Sequence, residues 1–162
     1  MEKVTILVDV QNIYYTTRQA HNRNFDYNKF WEIVTKNREV VKAIAYSTDR
    51  GDEKQKQFQN ILRAIGFEVK LKPYIQRSDG TAKGDWDVGI TLDAIEYAKN
   101  VDVLVLASGD GDFDLLLKKI NLDNGVSTEV YGVPQLTANS LIRAASKYFP
   151  IDNGLLLKGV KD

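Results

Sequence analysis

The 162 residues include no cysteine, one histidine (His21), 22 basic and 22 acidic side chains, and 43% hydrophobic residues, as expected for one domain over 1–162 with a single ordinary core. Disulfides, thiolate metal sites and a cysteine nucleophile are excluded, and a lone histidine argues against His-rich zinc centres and a serine–histidine triad. Any metal must be held mainly by oxygen. The opening run Val4 to Val8 is far too short for a signal peptide core or a membrane span, so the expectation is a soluble, cytoplasmic protein with no membrane partner. That run is β-branched and leucine-rich, reads as a strand buried on both faces, and ends at Asp9.

Tyr27 to Lys36 places Phe30, Trp31 and Val34 at helical spacing, with Asp26 as the N-cap. Val40 to Tyr46 is again strand-like. From Asp52, Phe58, Ile61, Leu62 and Ile65 recur at i, i+3, i+4, i+7, and Gly66 is placed to end that helix. Phe67 to Ile75 alternates as a strand. Arg77 to Gly84 holds two glycines and no large apolar residue, which predicts an exposed, mobile loop. Val88, Leu92 and Ile95 then form an apolar stripe on a helix from about Asp85–Asp87 to Lys99. Val101 to Ala107 is the most strand-like run of all, broken by Ser108-Gly109-Asp110-Gly111-Asp112. Phe113 to Ile120 predicts a helix with Leu116, Leu117 and Ile120 inward. Val126 to Val133 reads as a strand, Leu136 to Ala145 as a helix, and Tyr148 to Ile151 as a last short strand.

Strands alternating with helices imply an α/β fold of three layers, a Rossmann-like central, mainly parallel sheet with helices on both faces. In such folds the functional crevice lies at the carboxyl ends of the strands. Charge is segregated along the chain. Asp79 to Asp114 holds nine acids against only Lys83 and Lys99, whereas Lys36 to Arg77 holds ten basic residues against five acids. This is the pattern of an acidic centre beside a surface for a polyanion.

Two strands end at or just before aspartates: Asp9 after the first, Asp110 and Asp112 after Val103–Leu106. If the strands are neighbours, these carboxylates converge, and crowded aspartates need a cation or shared protons. Hard oxygen ligands select magnesium or manganese, Mg2+ or Mn2+. Asp87, near a helix start, can aim a further carboxylate at the same centre. Each acid taken alone could instead cap a helix or bond a turn, but capping needs one acid per helix and the sequence supplies Asp85 with Asp87, and Asp110 with Asp112 and Asp114. Asp93 lies six residues past Asp87, about 240° around a helix at ~100° per residue.

Val-Asp-Val-Gln-Asn-Ile (Val8 to Ile13), Lys-Gly-Asp-Trp-Asp-Val (Lys83 to Val88) with Asp93 six positions on, and Ser-Gly-Asp-Gly-Asp-Phe (Ser108 to Phe113) resemble, in that order, the three signature blocks of NYN-domain proteins of the LabA-like, DUF88 group, within the PIN-like nuclease superfamily. The resemblance implies a sheet with the first and fourth strands central and a metal-dependent ribonuclease centre at their carboxyl ends. Carried over by motif, Asp9, Asp87, Asp110 and Asp112 match the family's catalytic and metal-holding acids, Asn12 matches the polar residue of the first block, and Asp93 and Ser108 match further positions as a metal ligand and a substrate contact. Gln11 departs from the residues common in the first block and leaves the acids intact.

The expected partner is RNA, with phosphates held by Lys83, Arg50 and Arg77 and bases stacked on Tyr14 or Tyr15; ordinary packing is favoured for Trp86. The competing reading is a noncatalytic regulator that keeps the fold and binds a nucleotide or protein. Dinucleotide binding fares worse, since the turn after Val8 lacks the Gly-x-Gly-x-x-Gly glycines, and no basic residue follows Asp9 within the first turn to support a phospho-aspartate. A homo-oligomer is compatible with the sequence, which does not fix the assembly.

Overall fold

In the computed structural model, which describes residues 1–73, 75–76, 82–83 and 85–159, the apolar runs pair side by side. The chain runs β1 (Glu2–Asp9), α1 (Val10–His21), α2 (Tyr27–Thr35), β2 (Arg38–Asp49), α3 (Glu53–Ile65), β3 (Glu68–Pro73), β4 (Ile75–Gln76), β5 (Ala82–Lys83), α4 (Asp87–Tyr97), β6 (Val103–Ala107), α5 (Asp114–Asn124), β7 (Ser127–Gly132), α6 (Asn139–Ala144) and β8 (Lys147–Pro150). Six strands form one sheet in the order β3-β2-β1-β6-β7-β8, and every pairing in it is parallel. β1 and β6 are thus central neighbours, with Val8 opposite Ala107. The chain builds outward from them in both directions, which makes their carboxyl ends the switch point where a crevice opens.

Alternation along β1 divides the core. Val4, Ile6 and Val8 pack with Ile13, Phe30, Val34 and Leu62 under α1, α2 and α3. Leu7 faces the other way and packs with Ile90, Ala94 and Leu117 under α4 and α5. From Val4 to Val8 β1 is buried on both faces and apolar save for Thr5, which is what a central parallel strand demands.

The helix caps match the sequence. Asp26 accepts from the Lys29 N–H at 3.0 Å, Asp52 accepts from the Gln55 N–H at 2.8 Å, and Gly66 ends α3 at φ 139°. Four elements differ from expectation. α1 has no counterpart in the periodicity, because only Val10, Ile13 and Thr17 of its twelve residues are buried. The apolar stripe expected to anchor α4 faces solvent instead: Val88 is 70% and Leu92 63% exposed, while Ile90, Ala94 and the following Ala98 are buried. Alanine at the contact lets the helix axis approach the sheet closely, so the smaller residues define the inner face. The run from Leu136 to Ala145 divides into a single 3-10 turn, Pro134–Leu136, and the short α6. The Thr137 hydroxyl donates to the Val133 carbonyl at 2.7 Å and the Ala138 N–H to Gly109 O at 3.0 Å, which ties that bend to the end of β6. Finally, most of the loop expected between Arg77 and Gly84 lies outside the described residues; within it, β5 pairs antiparallel with β4. Among the described residues, no helix is long and apolar enough to cross a membrane.

Candidate metal centre

The turn that follows β6 is built by its glycines and by Phe113. The Gly109 N–H donates to Asn12 Oδ1 at 2.8 Å, so α1 and the β6 turn are held together by one side-chain amide. A Cβ on Gly109 would fall 2.6 Å from the Leu136 carbonyl oxygen, and one on Gly111 would fall 2.8 Å from the Ala138 Cβ. Only glycine permits so close an approach. Phe113 is fully buried against Leu116, Leu117 and Leu141, anchoring a 3-10 turn, Gly111–Phe113, that leaves Asp112 on the surface. Replacing Gly109 by Ala should therefore cost about 1–3 kcal/mol through overpacking. A thermal melt would read the loss, and an unchanged melting temperature would contradict the packing described.

The acids converge on this turn. Asp87, Asp110 and Asp112 each place a carboxylate oxygen within 4.8 Å of the others. Asp110 Oδ1 also accepts from the Asp112 N–H at 2.9 Å, which fixes the second acid relative to the first. Asp87 is the first residue of α4, and its own N–H is bonded to Asp85 Oδ1 at 3.1 Å. Asp9 lies behind this group, 7% exposed. Its Oδ2 accepts from the Ser108 hydroxyl at 3.1 Å, and the same Ser108 Oγ accepts from the Asp110 N–H at 3.1 Å. Ser108 is therefore a strut between the ends of β1 and β6.

Crowding and burial hold protons on two of these acids. Burial, only partly offset by the Asn12 and Ser108 hydrogen bonds, raises Asp9 from an ordinary 3.8 to about 6. Burial, the Asp110 charge and a hydrogen bond to Asp110 raise Asp87 to about 7. Carboxylates held from ionising by burial and by their neighbours' charge are a donor set that a hard divalent cation relieves, so the oxygen ligands present fit such a cation.

Asp93, expected among the ligands, stands apart. Its Oδ2 accepts from the Tyr46 hydroxyl and from Lys70 Nζ, both at 2.8 Å, and it is not part of the three-carboxylate group. The 240° turn that separates it from Asp87 aims it at β2 and β3. Ser108, expected to touch substrate, is fully buried and acts through Asp9 and Asp110. Asn12 Oδ1 is likewise committed to Gly109. Arg50 lies in the linker after β2, where its N–H bonds Gln55 Oε1 at 2.7 Å. Arg77 and the Lys83 side chain lie outside the described residues.

Trp86 is a packing residue. Its indole N–H donates to Ser47 O at 2.8 Å, its ring lies against Tyr46 with centroids 5.3 Å apart, and a Cβ on Gly89 would collide with it. Asp87, the next residue, is thereby oriented. Lys72 was not singled out by the sequence. Its Nζ donates to Asp85 O at 3.0 Å and lies 4.6 Å from the Trp86 ring centroid, so a cation stands beside the acids. An alternating strand of lysines gives no sign of which one the fold will turn toward the centre.

A Rossmann-like sheet with an aspartate group at its β1/β6 switch point defines the class, and sequence comparison fixes the family. The chain belongs to the NYN domain family, whose model matches residues 3–152. It is similar to the low amplitude and bright protein LabA of Synechococcus elongatus, 24% identical over 159 residues that cover 93% of this chain and 84% of that protein. It is also similar to VPA0982 of Vibrio parahaemolyticus, a protein of unknown function whose crystal structure superposes with a TM-score of 0.92 at 58% identity, covering 96% of each chain.

Proposed function

We propose that this protein is a metal-dependent ribonuclease that hydrolyses RNA phosphodiester bonds, with Asp87, Asp110 and Asp112 holding magnesium or manganese and Asp9 completing the acidic centre. The observation that carries the reading is the approach of three carboxylates, from two separate segments, to within 4.8 Å of one another at the switch point of an NYN-domain sheet. A divalent cation supplies charge stabilisation for phosphoryl displacement and makes water a competent nucleophile near neutral pH.

The chain's own residues supply the positioning. Asp110 sets Asp112 through the 2.9 Å turn bond. Ser108 links Asp9 to the Asp110 backbone, and Asn12 fixes the intervening Gly109. Lys72 beside the acids and Arg50 after β2 are cations for the RNA backbone, which needs charge but no base recognition there; Lys83 and Arg77 remain candidates for the same task. The test is purified protein incubated with labelled single-stranded and structured RNAs in magnesium, manganese or EDTA. Cleavage that appears with either metal and stops with EDTA is expected. No cleavage of any RNA under any metal would favour a binding module on the same fold.

A further inference from the structure

A second site adjoins the acidic centre and shares none of its carboxylates. A cavity of about 790 Å3 opens between α1, α3 and the carboxyl end of β2, beginning at Val10 and Gln11, directly after Asp9, and at Ser47 and Thr48 on the neighbouring strand. Its volume is that of a small-molecule site, for which roughly 300–1,000 Å3 is usual. Tyr14, Tyr27 and Phe58 supply aromatic walls, and the Arg18 guanidinium lies 5.9 Å from the Tyr14 ring centroid. The decisive group is Gln59 on α3. It lines the cavity, is 4% exposed, and among the described residues its enclosed Nε2 has no hydrogen-bond partner. A buried donor left unmade costs about 1–3 kcal/mol, and a turn of the Gln59 side chain that brings Nε2 into the cavity to meet a ligand acceptor removes that cost.

We propose that this cavity takes a nucleobase, stacked on its aromatic walls, with Gln59 Nε2 donating to a carbonyl or ring-nitrogen acceptor on the base edge. A planar, aromatic ligand bearing an acceptor matches rings that stack at about 1–3 kcal/mol per base and an amide that lacks only an acceptor. Arg18 and Lys54 at the walls suit the attached phosphate. Because the cavity starts where Asp9 ends, the base belongs to the strand whose phosphodiester lies on the acids; this last step rests on the ribonuclease reading.

The test separates the two. Calorimetry with each of the four ribonucleoside 5′-monophosphates, which carry no phosphodiester bond, should show saturable binding of at least one at millimolar concentration or below. Gln59→Met, near in shape but without the donor, should weaken it at least tenfold while melting no lower than the parent, and Tyr14→Ala should weaken it similarly. Asp152→Asn, which does not line the cavity, should bind the monophosphates as the parent does. A single-stranded RNA hexamer of the preferred base should bind to Asp110→Asn at least tenfold tighter than the monophosphate. Binding of none of the four monophosphates, or undiminished binding by Gln59→Met and Tyr14→Ala, overturns the base site. A hexamer that binds no tighter than the monophosphate overturns its assignment to the RNA strand. Monophosphate binding lost in Gln59→Met, in a protein that cleaves no RNA, leaves the base site standing and removes the nuclease reading alone.

Discussion

Asp110→Asn is expected to lower magnesium- or manganese-dependent RNA cleavage by two or more orders of magnitude while leaving the fold intact. Asp110 is the hub of the acidic group: its carboxylate lies within 4.8 Å of those of Asp87 and Asp112, it caps the Asp112 N–H at 2.9 Å, and its own N–H is held by Ser108. Asparagine keeps the volume and the oxygen that caps the turn, but removes the charge that a cation needs. Taking one charge out of a repelling group should let the metal-free variant melt at or above the parent temperature, since such sites hold function at the expense of stability. Asp152→Asn, in a turn where the Asp152 carboxylate accepts from the Gly154 N–H at 3.1 Å, is the control and should cleave as the parent does. Cleavage by Asp110→Asn at the parental rate would remove Asp110 from the metal site.

The second large effect is on the pH dependence of stability without metal. Asp9 titrates near 6 in the folded chain against an ordinary 3.8. A carboxyl raised in this way contributes stability that is fully present below about pH 4, and that contribution is lost as pH rises through about 6. The difference corresponds to something on the order of 3 kcal/mol, at ~1.4 kcal/mol per pH unit. Asp87, raised to about 7, extends the loss toward neutrality. In EDTA the parent should thus lose stability from pH 4 to pH 7 more steeply than Asp9→Asn, whose residue 9 has no proton to release. For a chain of this size the profiles should diverge by about 6–12 °C in Tm. Adding magnesium or manganese at pH 7 should recover stability in the parent, because a ligand that binds only the folded state adds its binding free energy to folding. Parallel pH profiles for the two proteins would contradict the burial described for Asp9.

The strands were legible because a central parallel strand must be apolar on both faces, and few other segments satisfy that demand. The acids were legible because they come in pairs, Asp85 with Asp87 and Asp110 with Asp112, where a helix cap needs only one carboxylate. α1 was illegible because its buried stripe is only Val10, Ile13 and Thr17, and its start is set by Asp9, whose carboxylate caps it. The α4 stripe misleads because close packing on the sheet selects the small Ala94 and Ala98 for the inner face and leaves the larger Val88 and Leu92 outside. Asp93 could be separated from Asp87 by helix geometry alone, but its partners Lys70 and Tyr46 come from β3 and β2 and have no local signature. Gln59 was equally hidden, one polar residue within an amphipathic repeat whose significance comes only from what surrounds it.

The strut formed by Ser108 has a consequence for how the protein is made. Asp9 and Asp87 are synthesised well before β6, yet the hydrogen bonds that set Asp9 against Asp110 exist only once Ala107 pairs with Val8 and the turn beyond it closes on Asn12. A nascent chain or a fragment ending before Ser108 therefore contains half of the acids and none of the centre. Because the pairing joins residues about a hundred positions apart, it is a late and costly step in chain closure. The carboxylate group accordingly assembles only in the complete fold, and a partly folded chain carries the acids without bringing them together.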